Sequence, residues 1–436
     1  SSHCRFRRFM DVIKVVGGHS VTGEVTVEGA KNSALKLMAA TIMAPGVTTL
    51  TNVPNIADVH VMGKVLKTLG ARIEVVGLHE LKIDTTDITS WETPYSLVAQ
   101  MRASTAVLGP LISRFGKAVV AMPGGCNIGA RKIDMHILGL EALGVKFKVE
   151  HGNIHASAPH GVKGETVSLA FASVGATENL MMASVFAKGV TVIDNAAREP
   201  EIVDLANMLN KMGANIQGAG SPVIEIHGVT ELHPVEHAVV GDRIEAGTFL
   251  AIGALTGDPI TVHGFEPAHL GLVLKKYEQM GITIETGDRW ARASRQQDLK
   301  AIDIQTLPFP GFPTDMQAQT MTLLALAQGT CIITENVFEN RFMLASELSR
   351  MGADITIEGH HAIVRGVSGL EGAQVKSPDL RGGAALVMAG LVAEGETTVS
   401  AIHHIDRGYE GFVEKLVALG ADAQRTTIPD DDFIEG

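Results

Sequence analysis

Six times along this chain a helix-like run ends in glycine and gives way to a short stretch of alternating apolar and polar residues. The first copy is Leu66-Lys-Thr-Leu-Gly-Ala-Arg-Ile-Glu74, and the others centre on Gly144, Gly213, Gly281, Gly352 and Gly420. Period-two alternation predicts a half-buried strand, and glycine suits the left-handed position that stops a helix before such a strand. The spacing of about seventy residues is too long for a solenoid repeat and fits a small βαβ-type unit.

A second element lies between these. Met38–Thr48, Met182–Thr191 and Val387–Thr397 each read as an Ala/Leu/Met-rich helix, then glycine, then a β-branched strand. These helices are apolar nearly all round, which predicts burial on every side. The expected fold class is therefore α/β, with helices inside and strands outside, in two pseudo-symmetric domains of three units. The last unit breaks off after Ala423, and the N-terminal strand Val12–Val16 is expected to complete it. Residues 10–30 with 241–427 are expected to form one domain and residues 31–240 the other. Residues 1–9 read as an N-terminal extension and 428–436 as an acidic tail. The cleft between the domains is where ligands are expected.

At 436 residues the chain exceeds one ordinary core, and 45% hydrophobic with 19% charged residues describes a soluble globular protein. A net charge of -12 argues against nucleic acid as a ligand. It leaves room for a small anion, because a local arginine cluster can oppose the global field. Three cysteines, Cys4, Cys126 and Cys331, argue against a disulfide framework and for a cytoplasmic setting. No apolar segment follows the basic N-terminus as a secretory signal requires, and the Leu37–Met43 run is too short to span a membrane.

Candidate chemistry collects in four places. Met122-Pro-Gly-Gly-Cys-Asn-Ile-Gly-Ala-Arg-Lys-Ile-Asp134 sets Cys126 in a glycine-rich segment with Arg131 five positions on. Glycine amides approach anions closely, and an arginine favours the thiolate. Lys31 opens a buried helix, where its charge opposes the helix dipole unless an anion is near. Arg102, Arg341, Arg381 and Arg407 each stand ahead of a predicted helix, at equivalent places in their units. One such arginine is usually a structural ion partner. Four at matching positions point to a shared anion site. Asp315 follows the proline-rich turn Pro308–Pro313 and reads as an N-cap for a helix Met316–Leu326, as a general base, or as both. Cys331 lies in an apolar run and reads as a buried strand residue.

With these residues the chain resembles the enolpyruvyl transferases. Gly29-Ala-Lys-Asn-Ser-Ala-Leu35, Met101-Arg-Ala-Ser104, Pro123–Arg131, Ser173-Val-Gly-Ala-Thr177, Ala197–Asp204, Asp242–Phe249, Phe312–Gln317, Glu339–Met343 and His404–Glu410 match in chain order. The likeness runs from Met10 to about Ala423. It implies two inside-out α/β barrels, each of three βαβαββ repeats. It also implies transfer of the enolpyruvyl group of phosphoenolpyruvate to the 3′-hydroxyl of UDP-N-acetylglucosamine, with release of phosphate, the first committed step of peptidoglycan synthesis. No metal and no cofactor are implied, and no nucleic-acid or membrane partner.

Carried over by position, the resemblance gives Lys31, Arg131 and Arg407 to phosphoenolpyruvate, supported by Arg102, Arg341 and Arg381. Cys126 is implied to protonate the enol methylene or to form a phospholactoyl adduct, and Asp315 to accept the sugar hydroxyl proton. Asn32, Arg102, Arg131, Lys132, Ile133, Asp134, Ser173, Val174, Gly175, Asp315 and Val337 are implied to hold the nucleotide sugar. Lys132 stands where the family usually has proline. The sister 5-enolpyruvylshikimate-3-phosphate synthases carry a Ser-Lys-Ser phosphate loop that is absent around Lys31. A catalytically silent paralogue would lack Cys126, Asp315 or an arginine, and a thiol redox protein would carry a second, resolving cysteine in a CxxC pair.

Overall fold

Every one of the six repeat glycines adopts positive φ in the computed structural model, between 91° and 118°. Gly70 shows how the stop works: it caps the helix Ala57–Leu69, and its N–H donates to the carbonyls of Leu66 and Lys67. The strand Arg72–Val76 follows at once. A side chain at this φ would be strained, so glycine ends the helix where the sequence pattern says it must. The structure describes residues 8–93, 96–97, 105–122, 129–339 and 341–430, with the backbone alone for 129–132.

The chain forms two units, one of residues 28–241 and one that joins residues up to Val27 to those from Asp242 onward. In residues 28–241 three sheets enclose the buried helices Lys31–Ala40, Leu108–Phe115 and Val174–Ala183. The sheet of Val47–Thr51 is representative. It pairs parallel with Glu236–Ala238 and antiparallel with Glu80–Asp84, which pairs antiparallel with Arg72–Val76. The sheet of Lys117–Ala121 has three strands, and Glu92 adds a single parallel bridge to Val119 where the other sheets have an edge strand.

The other unit repeats the plan with three sheets around Arg243–Thr256, Gln317–Ala325 and Leu380–Val392. Its third sheet is completed by the N-terminal strand, as the sequence pattern requires. Phe9–Val16 lies between Glu396–Ser400 and Asp422–Pro429, with Ile13 facing Val399 on one side and Arg425 on the other. Pairing continues to Phe9 opposite Pro429, so residues 428 and 429 belong to this sheet and not to the acidic tail.

Each unit has its own apolar core. The central helices are buried around their whole circumference; in Arg243–Thr256 every residue up to Leu255 is buried. Several hydroxyl residues there bond back to their own helix. The hydroxyls of Ser184, Thr248 and Thr320 donate to the carbonyls four positions earlier at 2.6, 2.9 and 2.7 Å.

Glu178 breaks this pattern. It sits inside Val174–Ala183 at 1% exposure, with Lys36 Nζ 3.6 Å away and no hydrogen bond to either carboxylate oxygen among the described residues. Burial pushes its carboxyl up, Lys36 opposes this, and Glu201 and Glu199 add to it, leaving the group at about 7 against an ordinary 4.5. Between about 4.5 and about 7 the folded protein thus holds a proton on Glu178 that the unfolded chain releases. The stability this group contributes is full below about 4.5, falls as pH rises through the interval to about 7, and is lost above it, where a buried charge remains. Glu178→Gln is therefore expected to melt at a higher temperature than the parent near pH 8, by on the order of 2 kcal/mol of stability, and to lose that advantage near pH 5. Thermal melts of both proteins across this range test it, and parallel pH dependences would refute a protonated Glu178.

Candidate active site

Asp315 occupies a single 3₁₀ turn, Thr314–Met316, set off by the proline-rich segment before it. It does not cap the next helix. That helix is Gln317–Ala325, its N-cap is Met316, and no side chain caps it. The capping expectation is corrected for a physical reason: the Asp315 carboxylate turns to a stronger donor. Arg341 Nη2 donates to Asp315 Oδ1 at 2.9 Å, and Arg341 Nη1 donates to Thr314 Oγ1 at 2.9 Å. A guanidinium outcompetes the neutral N–H that a cap would satisfy.

Burial by itself would raise the Asp315 carboxyl. The guanidiniums of Arg341 and Arg381, with a smaller push from Arg243, outweigh it and hold the group well below the usual carboxylate range. Its side chain keeps 28% exposure while that of Arg341 has 12%. The result is an ionised carboxylate, partly open to solvent, among three cations.

Arg381 is the second residue of Leu380–Val392, a helix capped by Asp379, whose carboxylate accepts from the Gly382 N–H at 2.7 Å. Its guanidinium lies 5.2 Å over the Tyr409 ring. Burial disfavours its charge, but Tyr409, Asp315 and Asp242 prevail and hold its pKa above the ordinary guanidinium value. Arg381 is 3% exposed, and its Nη1 has no hydrogen-bond partner among the described residues. A buried, permanently charged donor in that position suits an anion. Tyr409 is fixed from the other side by Thr248, O···O 2.8 Å, whose oxygen also accepts from Gln319 at 3.0 Å. Arg407 follows the short helix His403–Asp406 and is half-buried.

In residues 28–241 Lys31 is the first residue of Lys31–Ala40, which has no side-chain cap. Its ammonium pairs with Asp58 Oδ2 at 2.8 Å, with side-chain exposures of 13% and 4%. Asp58 lies in the first turn of Ala57–Leu69, where a carboxylate is favoured by the helix dipole. That pairing explains a lysine at a helix N-terminus, and nothing within the sequence window of Lys31 announces it. Two residues on, Ser33 Oγ donates to Asp204 Oδ2 at 2.5 Å, which anchors the same turn.

The remaining candidates are placed as follows. Asn32 is exposed. Ser173 caps Val174–Ala183 by accepting from the Ala176 N–H at 3.2 Å, Val174 is exposed, and Gly175 packs so closely on His136 that a Cβ there would lie 2.9 Å from its ring. Ile133 is buried and Asp134 exposed on the helix Gly129–Ala142. Val337 is half-buried, its N–H donating to Glu335 Oε2 at 2.9 Å. Cys126 and Arg102 lie outside the described residues, as do the side chains of Arg131 and Lys132. Cys331 is in the strand Thr330–Thr334 at 2% exposure, where burial, then Asp303, pushes its thiol up to about 12.

Sequence reasoning did not single out Asp58, Arg243, Thr314 or Glu335. Each acts through partners remote in the chain, and a pattern read within one window carries no trace of them.

Comparison with known proteins adds a separate line. The family model for EPSP synthase (3-phosphoshikimate 1-carboxyvinyltransferase) matches residues 15–416. The UDP-N-acetylglucosamine 1-carboxyvinyltransferase of Trichlorobacter lovleyi is 49% identical over 422 residues, 96% of this chain and 100% of that protein. The protein of the same name from Mycobacterium tuberculosis is 51% identical over 411 residues, 94% of this chain and 98% of that protein. Among solved structures, the enolpyruvyl transferase NikO from Streptomyces tendae aligns with a TM-score of 0.88 at 26% identity, covering 97% of this chain and 100% of that one.

Proposed function

We propose, from the premise that this chain belongs to the EPSP synthase family of enolpyruvyl transferases, that phosphoenolpyruvate and UDP-N-acetylglucosamine are its substrates. The protein is an enzyme that moves the enolpyruvyl group to the 3′-hydroxyl of the sugar and releases phosphate, the entry step of peptidoglycan synthesis. The observation that carries the choice of acceptor is 49–51% identity over 94–96% of the chain to proteins named for that reaction.

The chemistry assigns a role to each group. Phosphoenolpyruvate is a trianion when fully ionised, and Lys31, Arg131 and Arg407, with Arg102, Arg341 and Arg381, supply positive charge for its phosphate and carboxylate. As the sugar 3′-oxygen bonds to the enol carbon, its proton passes to Asp315 and the methylene carbon gains one from Cys126. The same thiol is alternatively the nucleophile of a phospholactoyl adduct. Loss of phosphate and of a methyl proton then restores the double bond on the new ether. Asn32, Ile133, Asp134, Ser173, Val174, Gly175 and Val337, with Arg102, Arg131, Lys132 and Asp315, hold the nucleotide sugar. Among the described residues no helix is long and apolar enough to cross a membrane.

Phosphate release from phosphoenolpyruvate with UDP-N-acetylglucosamine, run beside shikimate 3-phosphate, tests the acceptor. Release with shikimate 3-phosphate alone would overturn it. A thiol experiment tests the loop. A small electrophilic phosphonate is expected to alkylate Cys126 rapidly, and faster with nucleotide sugar bound, because Arg131 draws the phosphonate and favours the thiolate. Cys331 is expected to stay unlabelled, since its buried thiol at about 12 is almost wholly protonated at neutral pH. Mass spectrometry after brief exposure reads both sites. Label on Cys331, or an active enzyme without label on Cys126, contradicts the assignment.

A further inference from the structure

We infer that Glu335 is the positioning residue that aims Arg341 at Asp315, acting through the hydroxyl of Thr314. The inference rests on the reading of Asp315 as the acceptor of the sugar hydroxyl proton.

Glu335 directly follows the strand Thr330–Thr334 and is 5% exposed. A carboxylate buried this far is tolerated only if donors surround it. Five do. Oε2 accepts from Thr306 Oγ1 at 2.5 Å and from the N–H groups of Val337 and Phe338 at 2.9 and 3.1 Å. Oε1 accepts from Thr314 Oγ1 at 2.8 Å and from Gln317 Nε2 at 3.3 Å. Thr314 and Gln317 flank Asp315 in the chain, and Val337 is a candidate contact to the nucleotide sugar. One carboxylate thus ties the turn that carries the base to the loop that carries a substrate contact.

The direction of each bond follows from the donors. Thr314 Oγ1 donates to Glu335 Oε1, so its single hydroxyl proton is committed to Glu335. The Thr314 oxygen is left to accept, and it does so from Arg341 Nη1 at 2.9 Å. The guanidinium is planar, so fixing Nη1 also fixes where Nη2 points, and Nη2 meets Asp315 Oδ1 at 2.9 Å. Gln317, held by Glu335, donates its other bond to the Arg341 carbonyl at 3.3 Å, so the backbone of Arg341 is tied to the same carboxylate as its side chain. Arg341 occupies Oδ1 and no hydrogen bond reaches Oδ2 among the described residues, which makes Oδ2 the oxygen offered to the sugar hydroxyl.

Glu335→Gln keeps the shape but brings an amide that cannot accept at both positions, so Thr314 is released. Turnover is expected to fall by roughly 10- to 100-fold, the scale that misplacement of a reacting group produces. Arg341 then holds Asp315 less firmly. Protonation of Asp315, which in the parent sets in only well below the usual carboxylate range, should then move the acid limb of the turnover–pH profile to higher pH. Thr314→Val breaks the same relay without touching the buried charge, and is expected to move the limb in the same direction. Thr314→Ser should recover most of what Thr314→Val loses. Because the two residues act in series, Glu335→Gln with Thr314→Val should cost no more than the worse single variant. A merely structural Glu335 would lower the melting temperature and the active fraction and leave the pH profile where it was. Asp315→Asn belongs in the same series. If it keeps near-normal turnover, the base assignment fails. If it is inactive while Thr314→Val retains parental turnover and an unmoved acid limb, the positioning inference is overturned and the base assignment stands.

Discussion

Asp315→Asn is expected to lower turnover by on the order of 10²–10⁴ while the protein stays folded and continues to bind nucleotide sugar. The amide keeps the size of the side chain and can still accept from Arg341, but it cannot take a proton from the sugar hydroxyl. The structure sharpens this test, because no helix cap is lost with the carboxylate. What is lost is the countercharge to Arg341 and Arg381, and since the Asp315 side chain is 28% exposed the stability cost is on the order of 1 kcal/mol. A small fall in melting temperature together with a large fall in turnover identifies the base. Near-normal turnover would mean that the proton leaves by another route. The parent enzyme is expected to lose no activity through protonation of Asp315 at mildly acidic pH, because its arginine neighbours keep the carboxylate ionised until pH falls well below the usual carboxylate range.

Replacing Lys31 by methionine should reduce kcat/KM for phosphoenolpyruvate by roughly 10²–10³, the loss typical when one preorganised charge is taken from a developing anion. The same change removes the ion pair of Lys31 with Asp58, whose side chain is 4% exposed, so a stability loss of roughly 3 kcal/mol accompanies it. The two effects separate with Asp58→Asn in the Lys31→Met background. Neutralising the buried Asp58 carboxylate should restore melting temperature and leave the kinetic defect. If restoring stability also restores kcat/KM, Lys31 serves the fold and not the substrate.

Local periodicity carried the architecture. Gly70, Gly144, Gly213, Gly281, Gly352 and Gly420 were readable as helix stops because the requirement for positive φ belongs to the backbone of one residue and its immediate neighbours. The all-round apolar character of Lys31–Ala40, Val174–Ala183 and Leu380–Val392 was readable as burial for a similar reason: exposure of any face would leave apolar area in water. The capping role for Asp315 was also a local reading, and it failed. Capping preference assumes that no stronger partner competes, and Arg341, 26 positions away, is one.

The chain's own sequence thus determined the repeat, the placement of helices inside and strands outside, the return of the N-terminal strand to the last unit, and the residue types available for an anion, a proton acceptor and a thiol. Tertiary structure alone decided how those residues are charged and aimed. It put Asp58 on Lys31, raised the Glu178 carboxyl to about 7 beside Lys36, buried the Cys331 thiol, and ran a line of hydrogen bonds from Glu335 through Thr314 and Arg341 to Asp315. The division has a physical origin. Periodicity reflects dihedral preference and burial, which act between near neighbours in sequence, whereas protonation and aim depend on distances of a few ångströms between groups that the chain separates by tens of residues.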